Sequence, residues 1–286
     1  MSTDFRETGA SRAASSANDS DGTHDSPQDE PQKSYHTVLE QHLAQAQQEI
    51  ERPAGGLLLS AISAGLDLGF GPLLMAVIAT RAGGDLTGLA RDVVLALAYG
   101  VGFMFVVMGR SELFTEQTTS AVLPVLDRRA SVAQLLRLWA LVLAGNLIGA
   151  AAMAAAVSTL GPAMKIVDVD ALAEMSSRLT EAPTLVLLAS AVAAGWLMGL
   201  LAWLVIAVRD TVSQIVVVLA TTFVIGMAGF HHSIAGSIEV LMALFAGAGA
   251  TWSDFGHFLL WAVIGNAIGG SMFVGLLKFG HVRASG

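Results

Sequence analysis

The chain has 286 residues, 54% hydrophobic and only 13% charged, with a mean hydropathy of +0.64. Soluble domains carry about 25% charged residues, so this composition excludes an ordinary soluble domain and describes a membrane protein. Cysteine is absent, which excludes disulfides, Cys-ligated zinc and thiol catalysis, and the formal charge of −8 argues against a nucleic-acid partner. That charge is unevenly placed: residues 1–52 hold ten acids against four Lys/Arg, and the remainder hold thirteen against eleven.

Residues 1–33 are rich in Ser, Asp, Gln and Gly and carry almost no large apolar groups, so the sequence predicts a disordered acidic leader. No apolar core follows Met1, so no signal peptide is expected and the start of the chain is expected in the cytoplasm. Over 34–52 the pattern changes. Thr37 and Glu40 have capping-box spacing, and Tyr35, Leu39, Leu43, Ala46 and Ile50 fall on one stripe. This predicts an amphipathic helix on the membrane surface or under the bundle, ended by Pro53; a plain linker is the competing reading.

Residues 53–286 read as one membrane domain. Six apolar segments lie near 54–80, 89–125, 132–160, 183–208, 211–248 and 256–279. A span needs about 20 apolar residues, so the second and fifth are too long for one straight helix. Each has a polar interruption, Gly109-Arg-Ser-Glu-Leu-Phe-Thr-Glu-Gln-Thr118 in one and Gly226-Met-Ala-Gly-Phe-His-His-Ser-Ile-Ala-Gly-Ser237 in the other. Glycine costs about 1 kcal/mol against alanine inside a helix, so Gly226, Gly229 and Gly236 together predict a break. Gly109 and Gly229 stand 120 residues apart, as do Asn146 and Asn266 in Gly145-Asn-Leu-Ile-Gly149 and Gly265-Asn-Ala-Ile-Gly269. Ser63-Ala-Gly65 is a looser match to Ala193-Ala-Gly195. Two three-span halves follow, and since three is odd the second must run inverted, with the paired breaks marking the pathway. With the leader inside, seven loop cations (Arg52, Arg128, Arg129, Arg137, Arg209, Lys278, Arg283) face inward and four (Arg81, Arg91, Lys165, Arg178) outward, which places both termini in the cytoplasm.

Gly109-Arg-Ser-Glu-Leu-Phe-Thr115, Gly229-Phe-His-His-Ser-Ile-Ala235 and Gly265-Asn-Ala-Ile-Gly-Gly270 resemble the three signatures of the formate/nitrite transporter family. The similarity spans about residues 40–280 and is nearest to the family's divergent inner-membrane-protein branch. The resemblance implies an aquaporin-like six-helix protomer in a pentamer, each protomer with its own pore for small monovalent anions. Formate, nitrite, hydrosulfide, acetate or lactate would be the solutes, in a lipid bilayer, with no cofactor, no metal and no enzymatic reaction. Residue by residue, it makes His232 the central pore histidine and Thr115 its hydrogen-bonding partner. Leu113 and Phe114 would lie beside the inner constriction, and Asn266 would be the asparagine of the sixth helix, with Asn146 its partner by internal repeat. The chain departs from the family pattern in His231, where an acid commonly stands, in Trp196, where several members have asparagine, and in having Arg178 as the nearest cation to a missing outer lysine. His231 is either a second proton site or a subunit contact.

A dry pore opposes a bare anion because desolvating a charge is very costly. Histidine, with an unperturbed pKa of about 6.5, suits a transient proton or hydrogen bond to a weak-acid anion. Arg110 with Glu112 or Glu116 is expected to brace the loop as an ion pair. For Asp67 and Glu239 three readings stand open: pairing with loop cations, lining the pore, or sitting at protomer contacts. Phe103, Phe105, Phe223 and Phe230 are constriction candidates, helix packing being the ordinary role of such aromatics; only Phe230 is favoured by its motif. A neutral-solute pore and a poorly conducting scaffold or sensor on the same fold are the alternatives.

Overall fold

The computed structural model describes residues 33–284, and residues 1–32, nearly all of the expected leader, lie outside them. Among the described residues every regular element is a helix. Six helices or joined pairs are long and apolar enough to cross a membrane, and the chain is a multi-pass membrane protein.

Helix α1, Tyr35–Glu51, buries Val38, Leu39, Leu43, Ala46 and Ile50. Its N-cap is Ser34, whose hydroxyl accepts from the Thr37 backbone N–H at 3.1 Å. The expected Thr37–Glu40 box is therefore displaced by one turn, because Ser34 reaches the N3 amide first. Lys33 donates to the Ile206 carbonyl at 2.6 Å, which ties this end of α1 to the bundle.

The first span joins α2, Ala54–Leu68, to α3, Phe70–Ala82. The second, α4, is Gly88–Gly109, followed by short α5, Phe114–Ser120, and α6, Val122–Leu126. The third is α7, Val132–Ala163, opened by a Ser131–Gln134 capping box. Then comes α8, Val169–Thr180, for which the sequence reading had only a loop. The fourth and fifth spans are α9, Thr184–Ala207, and α10, Thr211–Ala228, and α11, Ser233–Phe245, follows. The sixth begins as α12, Trp252–Ile268, continues as a π-helical stretch, Gly269–Leu276, and ends in α13, Leu277–Ala284.

Helix α2 packs on α7 and α9 on α12, and small residues set how closely. A methyl at Gly149 would overlap the Ile62 carbonyl, and one at Gly269 the Val192 carbonyl, so both positions require glycine for backbone contact. The glycines of the histidine stretch divide differently from expectation. Only Gly229 is left-handed, at φ +65°, ending α10. Gly226 lies within α10 against Ala96, and Gly236 within α11 against the Phe258 ring. At the end of α4 the left-handed residue is Arg110, at φ +54°, not a glycine.

Candidate functional site

Both helix restarts are organised by a buried asparagine. Asn146 Oδ1 accepts from the Phe114 N–H at 2.8 Å, while its Nδ2 donates to the carbonyls of Ala61 and Glu112, both at 2.8 Å. Asn266 does the same for the other: Oδ1 accepts from the Ser233 N–H at 2.8 Å, and Nδ2 donates to Ala191 at 2.8 Å and His231 at 3.0 Å. Helix starts and ends leave backbone groups without intrahelical partners, and each asparagine supplies three partners at once.

His232 is the N-cap of α11. Its Nδ1 accepts from the backbone N–H groups of Ile234 and Ala235, at 3.3 and 3.2 Å. Facing two donors, Nδ1 presents its lone pair, which places the single ring proton on Nε2. Nε2 lies 2.8 Å from Thr115 Oγ1 and so donates to it. Phe103 meets the imidazole edge-on, centroids 4.9 Å apart. The ring is 1% exposed.

Cavities lie on either side of this group. One, about 150 Å³ against about 30 Å³ for a water, is lined among others by Arg91, Tyr99, Glu174, Arg178, Phe230 and Glu239. The other, about 640 Å³, is lined among others by α1 residues, Val106, Val107, Arg110, Ser111, Glu112, Glu116 and Gln117. Successive turns of α4 order the path: Tyr99 in the α8-side vestibule, Phe103 on His232, Val106 in the α1-side vestibule. In the α8-side vestibule Glu174 is held by Arg91 through two bonds of 2.8 and 2.7 Å and by Arg178 at 2.7 Å. Hydrogen bonds from Arg91, then Arg178, hold the Glu174 carboxyl below the ordinary carboxylate range.

Several expected residues are placed elsewhere. Glu112 pairs with Arg52 at 3.0 Å, not with Arg110, and also accepts from Gln117. Left-handed backbone at Arg110 turns its side chain to the exposed side of the vestibule, where it still lines the wall with Glu116. Leu113 is buried as the N-cap of α5, the Phe114 ring packs on Trp139 at 6.0 Å, and neither lines a vestibule. His231 turns away from His232: Nδ1 meets Ser190 Oγ at 2.7 Å and the ring lies beside Phe258. Phe105 is 42% exposed beside Phe70, and Trp196 is 47% exposed on α9. Asp67 accepts from Ser63 and lines neither vestibule. Phe103, one of the constriction candidates but not singled out by any motif, is the aromatic on His232. Glu174 belongs to no motif, and the one sequence signal for α8 is the helical spacing of Leu172, Met175 and Leu179.

Six apolar spans, with a polar centre between two vestibules, define a membrane channel or transporter. The chain belongs to the formate/nitrite transporter family, whose model, described as "Formate/nitrite transporter", matches residues 36–280. The inner membrane protein YfdC of Escherichia coli is 33% identical over 251 residues, 86% of this chain and 78% of that one. A probable formate transporter of Methanothermobacter thermautotrophicus is 32% identical, covering 79% and 88%, and the E. coli nitrite transporter NirC 27%, covering 77% and 81%. Among solved structures, an "FNT family ion channel" superposes with a TM-score of 0.77 at 26% identity, covering 86% of this chain and 98% of that one. A "Pentameric formate channel with formate bound" follows at 0.69 and 23%, covering 80% and 98%.

Proposed function

We propose that the protein is a channel for small monovalent weak-acid anions such as formate, nitrite, hydrosulfide or short carboxylates, crossing at His232 and Thr115. The observation that carries this is the buried His232–Thr115 pair lying between two vestibules. Residues 53–286 form the pore, 34–52 lie at its cytoplasmic mouth, both termini are cytoplasmic, and the protomers assemble as a homopentamer. The two halves are an inverted repeat with paired breaks at residues 110–113 and 229–232; the matched hydrogen bonds of Asn146 and Asn266 support it. His232 acts as a hydrogen-bond donor through Nε2, since its Nδ1 is occupied by two backbone donors. A neutral centre of imidazole, hydroxyl and Phe103 favours a solute that has shed its charge by then, because a bare anion loses its hydration there. Leu113, Phe114 and His231 support the breaks, and Phe230 narrows the α8-side entrance.

Replacing His232 with asparagine tests this. Asparagine is a good N-cap and keeps the start of α11, but does not reach Thr115. Stopped-flow uptake of formate, nitrite, acetate and hydrosulfide into proteoliposomes is expected to fall about two- to tenfold, the worth of one hydrogen bond between neutral groups. Unchanged, pH-dependent flux in the variant overturns the role of His232.

A further inference from the structure

Glu239 is the one carboxyl of the α8-side vestibule that has neither an ion pair nor a hydrogen bond among the described residues. It is 6% exposed, on the wall of the cavity. It stands seven residues beyond His232 along α11, hence on nearly the same helix face and about 10 Å farther toward the vestibule mouth. The other ionisable groups facing the vestibule are Arg91 and Tyr99 from α4 and Glu174 and Arg178 from α8; α3 and α10 contribute Met75, Ala79, Ile225 and Gly226. Arg178 is the cation whose field reaches Glu239, yet its guanidinium is bound to Glu174, as is that of Arg91. The cations thus draw an anion into the cavity, and Glu239 is the group it meets next.

A carboxylate there would repel that anion. A carboxylic acid would instead donate its O–H to a solute oxygen, and two carboxyl-type groups at contact hold one proton between them stably. We propose that Glu239 is the anion-recognition group of this vestibule, binding an entering monovalent oxyanion through one shared proton, so that each anion admitted is linked to one proton taken up. The proton comes from solution, no covalent bond changes, and it leaves again with the solute or with solvent. Carboxylates and nitrite, which offer an oxygen acceptor, are favoured over hydrosulfide. The inference rests on the channel reading for its solute class.

Formate and nitrite uptake by proteoliposomes at equal pH on both sides is compared for wild type, Glu239→Gln and Glu239→Leu, normalised to protein that elutes as folded oligomer. The ratio of variant to wild-type rate cancels the solute's own titration. For Glu239→Gln, a neutral donor at every pH, the ratio is expected near one in acid. Above the pH at which wild-type Glu239 ionises, it should rise about tenfold per pH unit. Glu239→Leu, with no donor, is expected to run about ten- to a hundredfold below Glu239→Gln at every pH, formate and nitrite more than hydrosulfide. Independently of flux, formate added to detergent-solubilised wild type in weakly buffered alkaline solution should take up about one proton per protomer, and Glu239→Gln none. A Glu239→Gln profile identical to wild type, with no proton uptake by either, overturns the role of Glu239 and leaves the channel reading standing. Proton uptake that needs Glu239, in a wild type that carries no small acid, supports the binding site and overturns the channel reading.

Discussion

Asn266→Ala is expected to be among the most damaging single substitutions in the protein, and Asn146→Ala its equal. Each asparagine is fully buried and holds three backbone groups of two different segments. Truncation leaves the N–H and the carbonyl of the break without partners, while the third group, a mid-helix carbonyl of Ala61 or Ala191, keeps its intrahelical donor; at about 1–3 kcal/mol each the loss is at least about 2 kcal/mol. Folded proteins hold only about 5–15 kcal/mol in reserve. A sharp fall in thermal midpoint and in the yield of monodisperse protein is expected. Because the two asparagines share no partner, the double variant should show the sum of both losses. Elution and melting like the wild type in Asn266→Ala would show that the backbone of the break is satisfied by other means. Contrast with His232→Asn separates architecture from passage: one loses the fold, the other keeps the fold and loses flux.

The attachment of α1 is expected to weaken on acidification, with His42 responsible. This side chain, outside the membrane spans, is buried between Ser120, whose Oγ lies 2.8 Å from its Nε2, and Trp203, and its Nδ1 has no partner. Burial lowers its pKa from 6.5 to about 4. The sign follows from proton binding. Between those values the released helix binds a proton that the docked one refuses, so docking is at full strength above 6.5 and weakens as pH falls toward about 4. Below that the loss is constant, at about 3 kcal/mol for such a difference. Hydrogen exchange of the amides of residues 35–51, taken relative to the intrinsic amide rate at each pH, should accelerate between neutral and mildly acidic buffer, and a His42→Leu variant should remove the dependence. Equal acceleration in that variant would assign the effect to another group.

Much of this architecture was legible along the chain. Spans announce themselves because lipid rejects polar side chains over about 20 residues at a time, and that is a local property of composition. The polar interruptions were legible for the same reason, and so was the equivalence of Asn146 and Asn266, since their glycine-flanked motifs repeat at a constant interval. A hydrogen bond between His232 and Thr115 was implied by the family resemblance of their motifs, and the two side chains stand 2.8 Å apart.

What the chain did not disclose depends on which faces meet. Glu112 finds Arg52, sixty residues away, because α1 ends beside the loop, whereas Arg110 is turned aside by its own left-handed backbone. Phe103 reaches the imidazole through the packing of α4, and no local pattern distinguishes it from Phe105, which faces out. Helix α8 was hidden by its shortness and mixed polarity, and with it the vestibule where Glu174 occupies both guanidiniums and leaves Glu239 unpaired. By itself the sequence determined that this is a six-span membrane protein with two polar, glycine-containing stretches and a histidine pair in one of them, because hydration and helix propensity act residue by residue. Only the tertiary structure decided that Nδ1 of that histidine is spent on the backbone and which carboxyl stands in the vestibule, because hydrogen-bond direction and charge pairing are settled by the approach of distant segments.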